Sequence, residues 1–276
     1  MADVAPAVLI TGATSGLGRY LAKQLASSGW QVLAHGRDPA RVADLRAELG
    51  GDDARGFVAD LASLGEVRDL AARITAEVPR LDVLVNNAAV GFGAPGQGRQ
   101  VSADGHELRF AVNYLAPVLL TRLLVPLLTA SAPSRVLNVG SIGQVGFDPA
   151  DAEFEHGYQG VEAYRRSKLA LAAFSFDLAG ELDAAQVTVN CSHPATLMNT
   201  AMVLHSGITP VSTIEQGGEA TMRLITDPAL DGVTGQFFDG LNTARARPEA
   251  YDPQFRARLR EVTGRMLGDA ASLPAS

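Results

Sequence analysis

The stretch TGATSGLGRYLAKQLASSG, residues 11–29, directly follows a short apolar run, AVLIT, at residues 7–11. Its glycines, Gly12, Gly16 and Gly18, fall where a strand would turn into a helix. Glycine there allows positive φ angles and lets backbone N–H groups approach a phosphate at the helix N-terminus. Ordinary tight turns also collect glycines. Because this pattern lies in the first strand–helix unit of the chain, we favour a dinucleotide-binding loop.

Beyond this loop, short apolar runs alternate with longer segments of helical periodicity. Near-continuous apolar strands are typical of a sheet covered on both faces, and strand–helix alternation predicts a parallel sheet. We therefore predict an α/β, doubly wound Rossmann-type fold of about seven strands with helices on both faces. The predicted strands are 7–11, 31–35, 56–60, 82–86, 135–139, 187–191 and 235–239, and the predicted helices are 16–28, 39–49, 63–78, 106–129, 161–183, 213–226 and 253–267.

The chain has 276 residues and neither an internal repeat nor a Gly/Ser-rich linker, so we predict a single domain over residues 1–276. Within it, residues 195–216 are predicted to form a substrate loop, and residues 241–276 a C-terminal helix and tail. Helices 106–129 and 161–183 could also pair two copies of the chain as a homodimer.

The composition is that of a globular protein, with 47% hydrophobic and 19% charged residues. The net charge of −7 and the absence of a Lys/Arg cluster argue against a nucleic-acid partner. Cys191 is the only cysteine, and no signal-peptide pattern opens the chain, so we expect a cytoplasmic protein. The most apolar stretch, 114–128, is interrupted by Pro117, Arg122 and Pro126, and no membrane span is predicted. The histidines lack metal-ligand spacing, and no metal site is predicted.

The end of the second strand, AHGRD, bears on which dinucleotide is bound. A free ribose 2′-hydroxyl usually meets an acidic residue here, whereas a 2′-phosphate needs cations. The sequence offers Arg37, with Arg19 nearby in the first helix. Asp38 is followed by Pro39 and has the pattern of a helix N-cap with proline at the first helical position. We favour NADP(H) over NAD(H), the alternative being that Arg37 is an ordinary solvated charge.

The stretch VEAYRRSKLAL, residues 161–171, places Tyr164 and Lys168 four residues apart, on one face of a predicted helix. In isolation, such a pair is usually an amphipathic tyrosine and a solvated lysine.

Asn113 is followed four residues later by Pro117. Because proline has no N–H, the Asn113 carbonyl loses its helical partner and the helix should kink, which would free that carbonyl to hold a water. The alternative is a purely structural kink.

Taken in order, these motifs resemble the short-chain dehydrogenase/reductase family over residues 7–240. They are TGATSGLG (11–18), Asp60, NNAA (86–89), Asn113, Ser141 and YRRSK (164–168). The lengths are similar to the compact single-domain branch. The stretches LRFAVNYLAPVLLTRLLVPLL and VTVNCSHPATLMNT further resemble the subgroup that contains the retinol dehydrogenases.

The resemblance implies a role for each matching residue. Tyr164, Lys168 and Ser141 would be catalytic, and Asn113 would complete a proton relay. Asp60 would bind the adenine. Asn86 would help to support the cofactor from the fourth strand, and the glycines would line the pyrophosphate. The full set of implied cofactor-binding residues is Gly12, Thr14, Ser15, Gly16, Leu17, Gly18, Arg19, Arg37, Asp60, Leu61, Asn86, Ala88, Tyr164, Lys168, Pro194 and Thr196.

The sequence departs from the family pattern in three places. Ala89 replaces a more usual glycine at the end of NNAA, and Ala195 stands where glycine ordinarily follows Pro194. An insertion, IGQVGFDPADAEFEHGYQG at residues 142–160, separates Ser141 from Tyr164 and is expected to border the substrate. None of these departures removes a catalytic side chain.

The chemistry that the resemblance implies is hydride transfer between nicotinamide and a carbonyl or alcohol. We expect the Lys168 ammonium, together with the oxidised nicotinamide, to lower the pKa of the Tyr164 phenol, and Ser141 to donate to the developing oxyanion. Residues 195–213 carry no acidic, lysine or arginine side chain, which favours a neutral, lipophilic substrate over simple packing of these residues. The alternatives are a nucleotide-sugar epimerase or dehydratase, and a non-enzymatic dinucleotide sensor. The apolar residues of this segment are Leu197, Met198, Met202, Val203, Leu204, Ile208 and Val211.

Overall fold

A computed structural model describes residues 5–50, 54–94 and 96–268, which build one eight-stranded sheet. The strand order is β3-β2-β1-β4-β5-β6-β7-β8, and only β8 runs antiparallel to its neighbour. This confirms the predicted Rossmann-type α/β fold, with one strand more than expected. The strands are β1 (Ala7–Ile10), β2 (Gln31–Gly36), β3 (Arg55–Val58), β4 (Val83–Asn86), β5 (Ser134–Val139), β6 (Val187–His193), β7 (Phe237–Asp239) and β8 (Asn242–Ala244).

The helices lie between the strands in the predicted order, and two features were not predicted. A five-residue π-helical turn, Ala111–Leu115, precedes α5, and a short helix, α7, lies inside the predicted substrate loop. The predicted cap at Asp38 is present, since its carboxylate accepts from Ala40 N at 2.9 Å. The α-helices are α1 (Gly16–Ser27), α2 (Pro39–Glu48), α3 (Leu64–Glu77), α4 (Leu108–Phe110), α5 (Ala116–Ala130), α6 (Gly160–Glu181), α7 (Ala201–His205), α8 (Ile214–Thr226) and α9 (Pro253–Leu267).

Both faces of the sheet are covered, which explains why its strands read as nearly continuous apolar runs. In β1, Val8 and Ile10 pack into the core formed with α1 and α8, whereas Leu9 packs into the larger core formed with α3, α5 and α6. Successive strand residues point to opposite faces, so a strand buried on both sides must be apolar throughout.

Helix α6, which carries the Tyr164–Lys168 pair, is enclosed on all sides along its middle. Every residue from 167 to 176 is buried. The C-terminal segment covers it from outside: the Phe176 ring stacks on Tyr251 with centroids 4.7 Å apart, and Arg260 contacts Asp177 at 2.6 Å. The C-terminal segment therefore covers this part of α6.

One helical stretch in the described residues, Leu108–Ala130, is long and apolar enough to cross a membrane by length and composition alone. In the structure, 78% of its most apolar window is buried inside the domain. It is packed as a core helix against the sheet, with α3 and α6 as its neighbours.

Candidate active site

A cleft of about 1400 Å³ opens along the carboxyl ends of the parallel strands, where the strand order reverses between β1 and β4. In open α/β sheets, ligands bind at this position. Four predicted site residues do not line the cleft: Gly18, Arg19, Asn86 and Asn113. The predicted residues that do line it are Gly12, Thr14, Ser15, Gly16, Leu17, Arg37, Asp60, Leu61, Ala88, Ser141, Tyr164, Lys168, Pro194 and Thr196.

The glycine loop adopts the backbone that its sequence predicts. Gly12 and Gly16 have φ angles of 66° and 51°, in the left-handed region that favours glycine. A methyl group at Gly12 would also lie 2.9 Å from Ala88 Cα, just beyond the end of the neighbouring strand β4. Gly18 has a different task from the one implied for it. A methyl group there would overlap the Gly12 carbonyl, so this glycine allows α1 to pack under the loop rather than face the cleft.

His35 holds the glycine loop in place from the second strand. Its Nδ1 accepts a hydrogen bond from Gly12 N at 3.2 Å, and its Nε2 lies 3.0 Å from the Ala59 carbonyl. A carbonyl only accepts, so Nε2 carries the hydrogen and the ring is neutral. Burial lowers the pKa of His35 to about 4, which keeps it neutral. Sequence reasoning had assigned no role to this histidine.

The two asparagines of NNAA face opposite ways. Asn86 points into the core, where its Nδ2 donates to Thr121 Oγ1 at 2.9 Å and to Asn138 Oδ1 at 2.8 Å. Asn87 lines the cleft and donates to the Thr11 carbonyl at 2.8 Å. Of the two, only Asn87 lies at the cleft, whereas Asn86 joins β4 to α5 and β5 inside the core.

The cations near the end of β2 differ from the predicted set. Arg37 is exposed at the cleft and makes no hydrogen bond or ion pair with the residues that the structure describes. Arg19 is instead paired with Glu48 of α2 and lies outside the cleft. Arg41, which sequence reasoning missed, lines the cleft and donates to the Thr14 carbonyl at 3.2 Å. The two cations available at this end of the cleft are thus Arg37 and Arg41.

On the far side of the cleft, the segment after β6 carries Pro194 and Thr196. The Thr196 hydroxyl lies 3.0 Å from His193 Nε2. Neither Ala89 nor Ala195 strains the backbone, because among the described residues only Phe154 and Leu197 combine a side chain with a positive φ. Alanine is therefore accommodated at both departures from the family pattern.

Ser141, Tyr164 and Lys168 converge on the middle of this cleft. Ser141 Oγ accepts from Gly143 N at 3.0 Å, which leaves its hydroxyl hydrogen to donate elsewhere. Lys168 is almost fully buried, and its Nζ donates to the Val139 carbonyl at 2.7 Å. An ammonium has three donors, so two remain for other partners.

The pKa of Tyr164 is set mainly by burial. Burial raises it to about 12, and only the hydrogen bond with Ser141 opposes the rise. Lys168 lies 5.7 Å from the Tyr164 ring centroid but directs a donor at Val139, and burial lowers its own pKa to about 8. Without the cofactor, burial thus raises the phenol pKa; the lowering expected from Lys168 together with the oxidised nicotinamide stays a prediction for the bound enzyme.

Asn113 lies in the π-helical turn that precedes Pro117, where the sequence predicted a disturbed helix. Its side chain is engaged on the scaffold: Oδ1 accepts from Val90 N at 2.7 Å, while Nδ2 donates to Val90 O at 3.0 Å and to Ser167 Oγ at 3.1 Å. The side chain thus joins the segment after β4 to Ser167 of α6, next to Lys168 in sequence, without lining the cleft.

The predicted substrate loop closes on itself above the cleft. Asn199 N donates to Ser212 O, and Val211 N donates to Leu197 O, both at 3.0 Å. Leu204 and Val211 are 56% and 68% exposed and do not line the cleft, contrary to expectation. The predicted apolar residues that do line it are Leu197, Met198, Met202, Val203 and Ile208.

The insertion at 142–160 borders the cleft only at its first residues, Ile142 and Gly143. The remaining residues do not line the cleft: Gln144 Oε1 accepts from Arg247 N of the C-terminal segment at 3.0 Å, and Tyr158 packs behind the cleft wall against Arg109. Within the described part of the chain, no group of His, Cys, Asp and Glu side chains could hold a metal ion.

Comparison with known proteins agrees with this geometry. The short chain dehydrogenase family model matches residues 6–207. Human retinol dehydrogenase 13 is 34% identical, covering 95% of this chain and 84% of its own length, and mouse polyprenol dehydrogenase is 36% identical, covering 91% and 80%. The structure of a short chain dehydrogenase from Escherichia coli complexed with NADPH superposes with a TM-score of 0.70 at 27% identity, covering 86% of this chain and 97% of that one. The chain is therefore an oxidoreductase of the short-chain dehydrogenase/reductase family and belongs to its retinol-dehydrogenase-like subgroup.

Proposed function

We propose that the protein is an NADP(H)-dependent oxidoreductase that interconverts a neutral, lipophilic carbonyl compound and its alcohol. The observation that carries the proposal is that Ser141, Tyr164 and Lys168 line the same cleft as the glycine loop. A proton donor, an oxyanion donor and a dinucleotide cradle in one cleft are what carbonyl reduction requires.

The residues of the cleft fit a nicotinamide dinucleotide. The N-terminus of α1, with Gly12 and Gly16 in left-handed conformations, presents backbone N–H groups without side chains in the way of a pyrophosphate. The Asp60 carboxylate accepts from Ala62 N at 2.9 Å and lies with Leu61 where an adenine would rest. When bound, the nicotinamide supplies or accepts the hydride.

The chain's own groups handle the proton. Tyr164 keeps its phenolic proton when buried, since its pKa is raised to about 12, and can give it to the substrate oxygen. Ser141 can donate its hydroxyl hydrogen to the same oxygen, because its Oγ already accepts from Gly143 N. Lys168 has two donors left for the nicotinamide ribose, and its charge would stabilise the tyrosinate that forms.

Arg37 and Arg41 support a preference for NADP(H). Both line the end of the cleft after β2, where the ribose 2′-position is expected, and Arg37 has no partner among the described residues. No acidic side chain other than the N-cap Asp38 follows this strand, and that carboxylate already accepts from Ala40 N and Arg41 N. The solved relative complexed with NADPH is consistent with this preference.

The substrate loop supports a neutral, lipophilic substrate. Its cleft-lining side chains include no Asp, Glu, Lys or Arg; alongside the polar Thr200, His205 and Ser206 they include Met198 and Met202, which adapt to ligands of varied shape. The related proteins named for retinol and polyprenol carry the names of apolar alcohols, in line with this surface.

The decisive experiment replaces Tyr164 by phenylalanine and follows NADPH oxidation with a neutral alicyclic ketone. The variant keeps the ring but loses the proton donor, so we expect turnover to fall by about 10³-fold or more, with NADPH affinity changed less than about threefold. Retained turnover would overturn the proposal. A preference for keto acids or sugar phosphates in the wild type would overturn the substrate class alone.

A further inference from the structure

We propose that Phe92 is a positioning residue for Tyr164, held in place by a buried cluster of Arg109, Glu107 and Tyr158. The proposal rests on the function proposed above, because it assumes that the Tyr164 phenol is the proton donor. Residues 90–94 are called the Phe92 loop below. This loop follows β4 and forms the wall of the cleft beside Tyr164.

Phe92 and Tyr164 make a specific ring contact inside the cleft. Their ring centroids are 4.7 Å apart and their planes are inclined by 78°, an edge-to-face arrangement. Aromatic rings prefer an edge-to-face arrangement to a face-to-face sandwich. The Phe92 ring therefore limits the directions in which the phenol can turn. Tyr164 is only partly buried, and the Phe92 ring covers one side of it. Removing that ring would expose this side of the phenol to water.

The Phe92 loop is fixed on its N-terminal side by two side chains from the helical stretch after residue 106. Asn113 holds Val90 through both its backbone N–H and its carbonyl, at 2.7 and 3.0 Å. Arg109 Nε donates to the Gly91 carbonyl at 2.8 Å. The backbone of two successive residues, Val90 and Gly91, is thus held by side-chain hydrogen bonds immediately before Phe92. A loop that only connected two elements would not need such bonds.

Arg109 is itself buried in a closed cluster, with an exposed fraction of 1% for both Arg109 and Glu107. Arg109 Nη1 lies 3.3 Å from Glu107 Oε1 and 2.5 Å from the Tyr158 hydroxyl, which in turn donates to Glu107 Oε1 at 2.8 Å. A buried ion pair is often no more stabilising than apolar packing, so its presence points to a role in fixing a geometry. The geometry it fixes here is the backbone of the Phe92 loop.

The same loop contacts the helix that carries Tyr164. Gly160 begins α6, and a methyl group at this residue would overlap the Phe92 carbonyl. Ser167 Oγ donates to the Tyr164 carbonyl at 2.7 Å and accepts from Asn113 Nδ2 at 3.1 Å. Asn113 therefore connects the Phe92 loop to the turn of α6 that carries Tyr164. The position of the phenol is thus fixed by the Phe92 ring on one side and by the hydrogen-bonded backbone of Tyr164 on the other.

The test compares Phe92→Ala and Phe92→Tyr with the wild type. For Phe92→Ala we expect kcat for ketone reduction to fall about 10- to 100-fold, as small displacements of a reacting group typically do, while the Kd for NADPH changes less than about threefold. Phe92→Tyr keeps the edge-to-face ring and should recover most of the rate. A second readout is the pH profile of alcohol oxidation, which rises as Tyr164 loses its proton. Burial raises the pKa of Tyr164, so admitting water in Phe92→Ala should move this rise to lower pH.

Phe176→Leu is the matched control. Phe176 stacks on Tyr251 with the same 4.7 Å centroid distance, but it lies outside the cleft. It should change thermal stability and leave the pH profile and kcat as they are. If Phe92→Ala does not fold, Tyr158→Phe removes one hydroxyl from the Arg109 cluster and should lower kcat in the same direction by a few-fold.

Wild-type kcat and an unshifted pH profile in Phe92→Ala, or in Tyr158→Phe where it replaces that variant, would overturn the proposal. An equal loss of kcat in Phe176→Leu would also overturn it, because the effect would then be one of general destabilisation. Failure of the proposed function looks different: Tyr164→Phe would then remain active whatever Phe92 does.

Discussion

The two walls of the cleft are built on different principles. The wall of the glycine loop is mostly backbone, with Gly12 held by His35, and Thr11 and Asn87 joining β1 to β4. The wall of the substrate loop is mostly side chains, among them the cleft-facing Met202. A dinucleotide has an invariant shape that fixed N–H groups can match, whereas apolar side chains can change without altering the fold. We therefore expect the dinucleotide to bind the rigid wall and substrate selectivity to depend on the other, called the variable wall because its side chains can be exchanged without altering the fold.

Lys168 lies where the two walls meet, so its removal should cause the largest effect. We expect Lys168→Ala to lower kcat/KM by about 10²- to 10⁴-fold, because proton transfer loses its stabilising charge. It should also weaken NADPH binding, since the ribose loses a donor. Steady-state kinetics and a fluorescence titration of NADPH measure the two effects. Lys23→Ala, an exposed lysine paired with Glu48, serves as the control and should leave both unchanged. A loss of rate with unaltered NADPH affinity would contradict the double role.

The glycine loop is held by a neutral His35, so the stability of the domain should depend on pH. The folded pKa of about 4 lies below the ordinary value of 6.5. Below pH 6.5 the unfolded chain therefore binds a proton that the folded chain excludes. The free energy of unfolding should fall as the pH drops from about 6.5 to about 4 and show no further loss from this group below that. The size is on the order of 3 kcal/mol.

Chemical denaturation of the wild type and of His35→Gln between pH 7 and pH 4.5 tests this. The variant should show a shallower slope, whereas His205→Gln, which alters an exposed histidine, should keep the wild-type slope. The comparison is needed because His106 acts in the opposite sense: its hydrogen bond with Glu153 raises its pKa and adds stability at acid pH. Equal slopes in wild type and His35→Gln would refute the assignment.

Cofactor choice tests the exposed end of the rigid wall. Arg37→Asp should weaken NADPH about tenfold or more and NADH much less, because it places an anion where the 2′-phosphate is expected. Arg41→Ala should have a smaller effect in the same direction, since its guanidinium also serves the Thr14 carbonyl. The ratio of the two dissociation constants is the measurement. A wild type that prefers NADH would show that Arg37 is an ordinary surface charge.

The smallest effect is expected in the variable wall. Met202→Glu should raise KM for a neutral lipophilic ketone by about tenfold or less, since one charge is added to an apolar surface, and leave NADPH affinity unchanged. Leu204 lies two residues further along α7, is 56% exposed and does not line the cleft, so Leu204→Glu is the matched control. Equal KM changes in both variants would show that this helix does not face the substrate.

Local patterns were enough to predict the order of strands and helices, the glycine loop and the four-residue spacing of Tyr164 and Lys168. Each depends on residues close in sequence. The eighth strand was missed because it is only three residues long, begins with the polar Asn242 and Thr243, and lies at the sheet edge. Arg19 was misplaced because its partner, Glu48, comes from another helix.

The contacts that sequence reasoning could not supply all join distant segments. The bond of Lys168 to the Val139 carbonyl and the bond of Arg109 to the Tyr158 hydroxyl depend on how the helices dock on the sheet and on one another. The raised pKa of Tyr164 also follows from burial, which is a property of the whole domain. Sequence spacing indicates which side chains are neighbours on a helix, but not how far each is exposed to solvent.

The C-terminal cover of α6 has a consequence for the order of synthesis. The Phe176–Tyr251 stack and the bond between Tyr114 and Thr263, at 2.7 Å, are made by residues that leave the ribosome after all the catalytic residues. Until residues 246–267 emerge, the side of α6 that stacks on Tyr251 is uncovered. A chain stopped before residue 246 would therefore carry every catalytic residue without this cover, so the outer packing of α6 is completed only after the residues of the site have been made.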